Sequence, residues 1–179
     1  MKVYVIGGKA GSGKSEVALY IKNYYEAKGK KACITEISKY IKIYAKELLN
    51  WNGDRETKPR EFLQSVGYIM RHELFGDDFI INRTIEDTKV YERFVDVLII
   101  SDARLPIEID TFKEKLNAVS IKVINNFEES KLSVEEQKHE TEVAFDNYDN
   151  FDYVIKNDDI NSLKSKVEKI IEKEDVKWI

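Results

Sequence analysis

The sequence predicts an α/β protein, a three-layer α/β/α sandwich around a five-stranded parallel sheet. Two observations carry this. Short apolar runs alternate along the chain with longer amphipathic stretches of helical period. One of the runs, Val95–Ser101, is nearly continuous in apolar residues, the pattern of a central strand covered on both faces. Alternating strands and helices join by right-handed crossovers, which make the sheet parallel and place helices on both sides of it.

Taken in order, Lys2–Ile6 reads as a short buried strand and Gly7–Ser15 as a glycine-rich loop. Glu16–Lys28 is helical, with Val17, Leu19, Tyr20 and Tyr24 near helical spacing and Gly29 as its stop. Lys31–Ile37 is a second strand. Lys39–Trp51 is a helix with Tyr40, Ile41, Tyr44, Leu48 and Leu49 as its apolar stripe. After the polar loop Asn52–Lys58, Pro59 suits the first turn of a helix running to about Leu74. Gly76 breaks it, and Asp77 or Asp78 caps a further helix to about Arg93. The strand Val95–Ser101 leads through a loop at Asp102–Pro106 into a helix ending near Leu116. Ala118–Ile124 and Asp152–Ile155 are the last two strands, and Asn161–Glu174 is a closing amphipathic helix. The polar, aperiodic stretch Asn125–Asn150 between them reads as a flap.

The chain of 179 residues suits a single domain with its own core, without internal repeat or linker. Its 42% apolar and 35% charged residues are an ordinary globular balance. The net charge of −4, with both signs interspersed, gives no surface for coating a nucleic acid. No stretch approaches the roughly 20 apolar residues of a membrane helix, and no secretory signal is recognisable. The single cysteine, Cys33, has no intrachain partner. The expectation is a cytoplasmic monomer or homodimer with a small-molecule partner, and with neither nucleic acid nor membrane.

Gly8-Lys9-Ala10-Gly11-Ser12-Gly13-Lys14-Ser15 fits G-x-x-x-x-G-K-[ST], the Walker A phosphate loop. Its glycines let the backbone curl so that successive N–H groups point at phosphate oxygens. The helix that follows, opening near Glu16, adds the positive end of its dipole. Lys14 is expected to bridge the β- and γ-phosphates of ATP, and Ser15 to ligate Mg2+. Lys9 either touches the γ-phosphate or is solvated. The loop establishes a P-loop nucleotide-binding chain, because GTPases, ATPases and kinases share it.

Ser101-Asp102-Ala103-Arg104 follows the central strand, at the sheet edge where ligands bind in open parallel sheets. There Asp102 either reaches the magnesium shell or orients an attacking oxygen, or it caps the next helix with Arg104 paired to it. In the first reading Arg104 neutralises phosphate charge.

These and several further segments resemble the deoxynucleoside monophosphate kinase family, and more loosely the phosphomevalonate kinases. Ala45 to Gly53 looks like that family's helix ending in Trp and Gly. Lys58-Pro59-Arg60-Glu61-Phe62-Leu63-Gln64-Ser65-Val66-Gly67 is similar to its Pro-Arg-Glu-Leu-Leu-Gln-x-x-Gly segment. Asp102-Ala103-Arg104-Leu105-Pro106-Ile107-Glu108 resembles Asp-Val-Arg-Phe-Pro-Asn-Glu, His139 to Glu142 resembles His-x-Ser-Glu, and Asp152 to Asp158 resembles the strand and turn beside the adenine. The resemblance implies a nucleoside monophosphate kinase-like fold and ATP- and Mg-dependent phosphoryl transfer to a nucleoside or deoxynucleoside monophosphate. It implies an acceptor-binding helical region at about 38–93 and a lid at about 125–150. It places Lys42, Arg60, Gln64 and Arg104 toward the acceptor and Asn157 near the ATP base. Arg71, a basic residue on a flanking helix, joins the acceptor set as a weaker candidate.

The chain also departs from the family. Ser38 to Lys42 replaces Asp-Pro-Leu-Lys so that only Lys42 carries over, Tyr68 replaces Thr, and Ile107 replaces Asn. Asn125-Asn126 stand where the family offers an arginine, a role that falls to Lys131 or Lys138 or is lost. A regulator or slow ATPase without acceptor, and a kinase of a non-nucleotide phosphate such as phosphomevalonate, are the alternatives. His139-x-x-Glu142 is either a helical surface pair or a latch of the flap. His72 and His139 lack the company of a metal site.

Overall fold

The computed structural model describes residues 1–54, 56–125 and 139–176. Five strands, β1 (Lys2–Gly7), β2 (Ala32–Thr35), β3 (Val97–Ala103), β4 (Val119–Asn125) and β5 (Tyr153–Asn157), form one sheet in the order β2-β3-β1-β4-β5. Every pairing is parallel. The helices are α1 (Lys14–Ala27), α2 (Lys39–Leu49), α3 (Arg60–Ile69), α4 (Phe79–Tyr91), α5 (Pro106–Leu116), a short α6 (Glu140–Val143) and α7 (Ile160–Val176).

The period-2 alternation of β1 and β3 divides the core in two. Tyr4, Ile6, Val97 and Ile99 face α1 and α7, meeting Val17, Ile21, Leu163, Val167 and Ile171. Val3, Val5, Leu98 and Ile100 face the other way and meet Ile41, Met70, Ile81, Ile109 and Phe112. Both faces of the two central strands are therefore covered, and the predicted three-layer α/β/α architecture with five parallel strands is the one observed.

The differences lie at element ends. The helix expected from Pro59 to Leu74 stops at Ile69 and continues as a π-helical stretch, Met70–Phe75. The wider turn brings neighbouring side chains closer around the axis, and here both Met70 and Arg71 turn inward. β3 runs on through Asp102 to Ala103, where a loop was expected, and pairs Ala103 with Gly7 across an irregular step. α1 begins at Lys14 rather than Glu16, so the last residues of the phosphate loop are the first turn of a helix. Residues 139–150 of the expected flap carry α6 packed on the phosphate loop, while 126–138, with Lys131 and Lys138, lie outside the described residues.

Candidate functional site

The site forms at the carboxyl ends of β1 and β3, where the chain leaves the sheet. β1 ends in Gly7, and the loop from Gly8 to Gly13 turns into α1. Gly8 has φ 149, and a Cβ there would stand 2.4 Å from the Val123 carbonyl oxygen. Gly13 has φ 100, and its Cβ would meet Asn157 Nδ2 at 2.5 Å. Backbone sign and crowding together admit only glycine at both positions. Asn157 Nδ2 donates to the Ser12 carbonyl at 3.1 Å, so the end of β5 buttresses the loop.

Lys14 is 7% exposed, and its Nζ donates to the Gly8 and Lys9 carbonyls at 2.6 Å each. Burial, and then the positive charge of Arg104, hold its pKa well below the ordinary lysine value. Anion binding beside it restores the charged form. Ser15 and Glu16 are exposed on the first turn of α1, Lys9 pairs with Asp146 at 2.6 Å, and Ser12 Oγ is buried without a hydrogen-bond partner among the described residues.

Asp102 does not cap α5, the helix that follows it. Its Oδ1 accepts from Ile37 N at 2.6 Å, and its Oδ2 accepts from Ser38 N at 3.1 Å and Ser38 Oγ at 2.5 Å. It thus ties the exit of β2, and the start of α2, to the end of β3. Three of a carboxylate's roughly four acceptor positions are used, which leaves room for one further donor such as a water. The N-terminus of α5 is capped instead by Glu108, which is buried and accepts from Arg104 N at 2.6 Å and Leu105 N at 2.9 Å. Burial raises its pKa to about 7.

Arg104 pairs with Glu142 rather than with Asp102. Nη1 donates to Glu142 Oε1 at 2.5 Å, and Glu142 Oε2 accepts the Ala10 N–H at 2.8 Å. Glu142 is 7% exposed, so it latches the segment after the fourth strand to the phosphate loop and is no surface pair. Beside it Arg71 Nη2 donates to Glu140 Oε1 at 2.5 Å. Lys42 pairs with Glu36 at 2.5 Å.

Lys58, just before α3, is half-buried and makes no side-chain hydrogen bond or ion pair among the described residues. Its pKa is lowered by burial, then by the charges of Lys42, Arg104 and Arg60, with Asp102 opposing. Lys14, Lys42, Lys58, Arg60 and Arg104 therefore crowd around one place. Gln64 stands one turn beyond Arg60 on the same helix. A cavity of about 430 Å³ lined by Ser15, Thr35, Glu36, Lys39, Tyr91 and Ser101 opens beside the loop. A hollow of about 540 Å³ at the opposite, amino end of the strands, by Lys2, Val3, Val119 and Tyr153, is remote from these groups.

Lys58 and Glu108 were not singled out from sequence. Lys58 gains its neighbours only from other elements, whereas Glu108, two residues after Pro106 in the first turn of α5, stands at a local capping spacing that the sequence did offer.

The donor set fits an Mg–ATP complex. Loop N–H groups and Lys14 suit phosphate oxygens, and the Ser15 hydroxyl suits a hard cation. No group of three or more His, Cys, Asp or Glu that could hold a metal by itself occurs among the described residues. A magnesium ion here would thus take most of its ligands from phosphates and water, as that ion commonly does.

No family model and no curated protein matches the sequence. Solved structures do match. The shikimate kinase from Bacteroides thetaiotaomicron is 12% identical over 96% of this chain and 98% of its own, with a TM-score of 0.55. The shikimate kinase from Aquifex aeolicus is 12% identical over 98% and 99%, with a TM-score of 0.55. A sugar kinase from Janibacter is 12% identical over 96% and 95%, with a TM-score of 0.51. Likeness at this identity is likeness of fold: a five-stranded all-parallel α/β sandwich shared with P-loop kinases.

Proposed function

We propose that this chain transfers the terminal phosphoryl group of Mg–ATP to a small acceptor that itself carries a phosphate, a nucleoside or deoxynucleoside monophosphate. One observation carries the reading: four cations, Lys42, Lys58, Arg60 and Arg104, gather with the phosphate-loop lysine. Neutral acceptors need no such gathering. Two phosphate groups brought together do, because their mutual repulsion must be neutralised before they meet. The neighbours named as kinases agree at the level of phosphoryl transfer by analogy of fold.

In this reading the backbone from Gly8 to Ser15 cradles the phosphates, with Lys9, Ala10, Gly11, Ser12 and Glu16 on the ATP side and Asn157 toward its base. Ser15 would hold Mg2+ directly and Asp102 through water, and the ion supplies charge neutralisation on the transferring phosphate. Lys14 and Arg104 draw off charge as the bond to the acceptor oxygen forms. Lys42, Arg60, Gln64 and Arg71 orient the acceptor.

The test is ADP release from Mg–ATP with and without a panel of ribo- and deoxyribonucleoside monophosphates, phosphomevalonate, shikimate and simple sugars, with products identified by mass. We expect one monophosphate to give a diphosphate product, and the Lys14→Ala chain to give none while keeping its fold. Turnover only on a phosphate-free acceptor would overturn the reading. A second reading, a regulator or slow ATPase, is favoured by Asn125. Its side-chain amide points to the Gly11 carbonyl at 3.5 Å, where the family resemblance expects an arginine. ADP release unaffected by every acceptor would favour it.

A further inference from the structure

Glu142 sits on α6, a helix of only four residues, yet both of its carboxylate oxygens are engaged at the heart of the site. Oε2 takes the N–H of Ala10, one of the loop amides that form an anion cradle. Oε1 takes Arg104, the cation at the end of β3. The group that satisfies both donors is an anion with two oxygens about a common atom, the chemistry of a phosphate edge. The segment is held in place on either side. Glu140 pairs with Arg71, Asp146 pairs with Lys9, and the Phe145 ring lies against Gly7. Lys9 belongs to the phosphate loop, so two separate acidic residues of this segment engage groups of that loop.

We propose that the Glu142 carboxylate is a built-in stand-in for a nucleotide phosphate: it holds the Ala10 amide and Arg104 until a bound triphosphate displaces it. This rests on the nucleotide-binding reading above. Two consequences follow. Nucleotide must outcompete an intramolecular carboxylate, so the measured affinity is lower than the cradle itself would give. Displacement also passes the Arg104 guanidinium from Glu142 to the bound phosphate, so filling the nucleotide site turns that cation toward the group to be transferred.

The experiment is titration calorimetry of the whole chain with Mg–ATP and, separately, with magnesium tripolyphosphate, which has phosphates but no base. Glu142→Gln keeps the shape of the side chain and removes its charge. It is expected to bind both probes about tenfold more tightly than the unaltered chain, the worth of one charge-assisted hydrogen bond. Glu142→Ala is expected to tighten both in the same direction, and thermal unfolding of each variant shows whether it is folded. Unchanged or weaker binding by folded Glu142→Gln overturns the proposal and makes Glu142 a support of the loop. An unaltered chain that binds neither probe instead refutes the nucleotide reading, and this proposal with it.

Discussion

A lysine ammonium withdrawn from water and set among other cations is in an unfavourable place, and Lys58 is such a group. Asp102 opposes these cations more weakly than they act, and that carboxylate is already committed to Ile37 and Ser38. A dianion arriving there would relieve the repulsion, and this is the part the proposed acceptor phosphate gives Lys58. Lys58→Met is expected to raise the KM for a phosphate-bearing acceptor by about tenfold while leaving the KM for Mg–ATP near its original value. Steady-state kinetics with each substrate varied separately checks this. Equal loss for both substrates would place Lys58 on the nucleotide instead. Arg104 has a different burden, because Glu142 already neutralises it and it becomes available only when that pair opens.

Helix ends do much of the positioning here. α1 begins inside the phosphate loop, so its first N–H groups join the cradle. α5 begins beneath Arg104, and its cap is the buried Glu108 carboxylate, with Pro106 at the first turn. The cap is also a titration site. Its pKa rises from the ordinary 4.5 to about 7, so between those values the folded chain holds a proton that the unfolded chain has released. Stability is then greatest below about 4.5 and falls as pH rises through 7, by up to ~3 kcal/mol. Glu108→Gln is expected to flatten that part of the stability–pH curve. Urea denaturation at several pH values between 4.5 and 8 measures it, and an unchanged slope would assign the dependence to other groups.

The whole molecule is organised by the double covering of β1 and β3. Leu98 and Ile99 are adjacent in sequence, both fully buried, and face opposite layers. If the two cores belong to one domain, Leu98→Ala and Ile99→Ala should each cost ~2–5 kcal/mol, and unfolding should remain one transition in both. Circular dichroism and tryptophan fluorescence followed together through a denaturant series test this. Separate midpoints in either variant would divide the chain into independent units.

Local pattern by itself determined much of this protein. Apolar runs of strand length, amphipathic stretches of helical period and glycines at Gly8 and Gly13 are features of neighbouring residues. They read directly as five strands, their helices and a phosphate loop, because side-chain period and backbone sign are set over a few residues. Tertiary structure alone decided the partners. Asp102 was legible only as a candidate, open between magnesium shell and helix cap, and its hold on Ile37 and Ser38 required β2 beside β3. Lys58 became notable only when folding brought Lys42 and Arg104 around it. Glu142 was open between surface pair and latch until it met Ala10, 132 residues away in sequence. Which polar groups lose water together, and which charge each then needs, depends on the packing of distant segments, and no period in the chain encodes it.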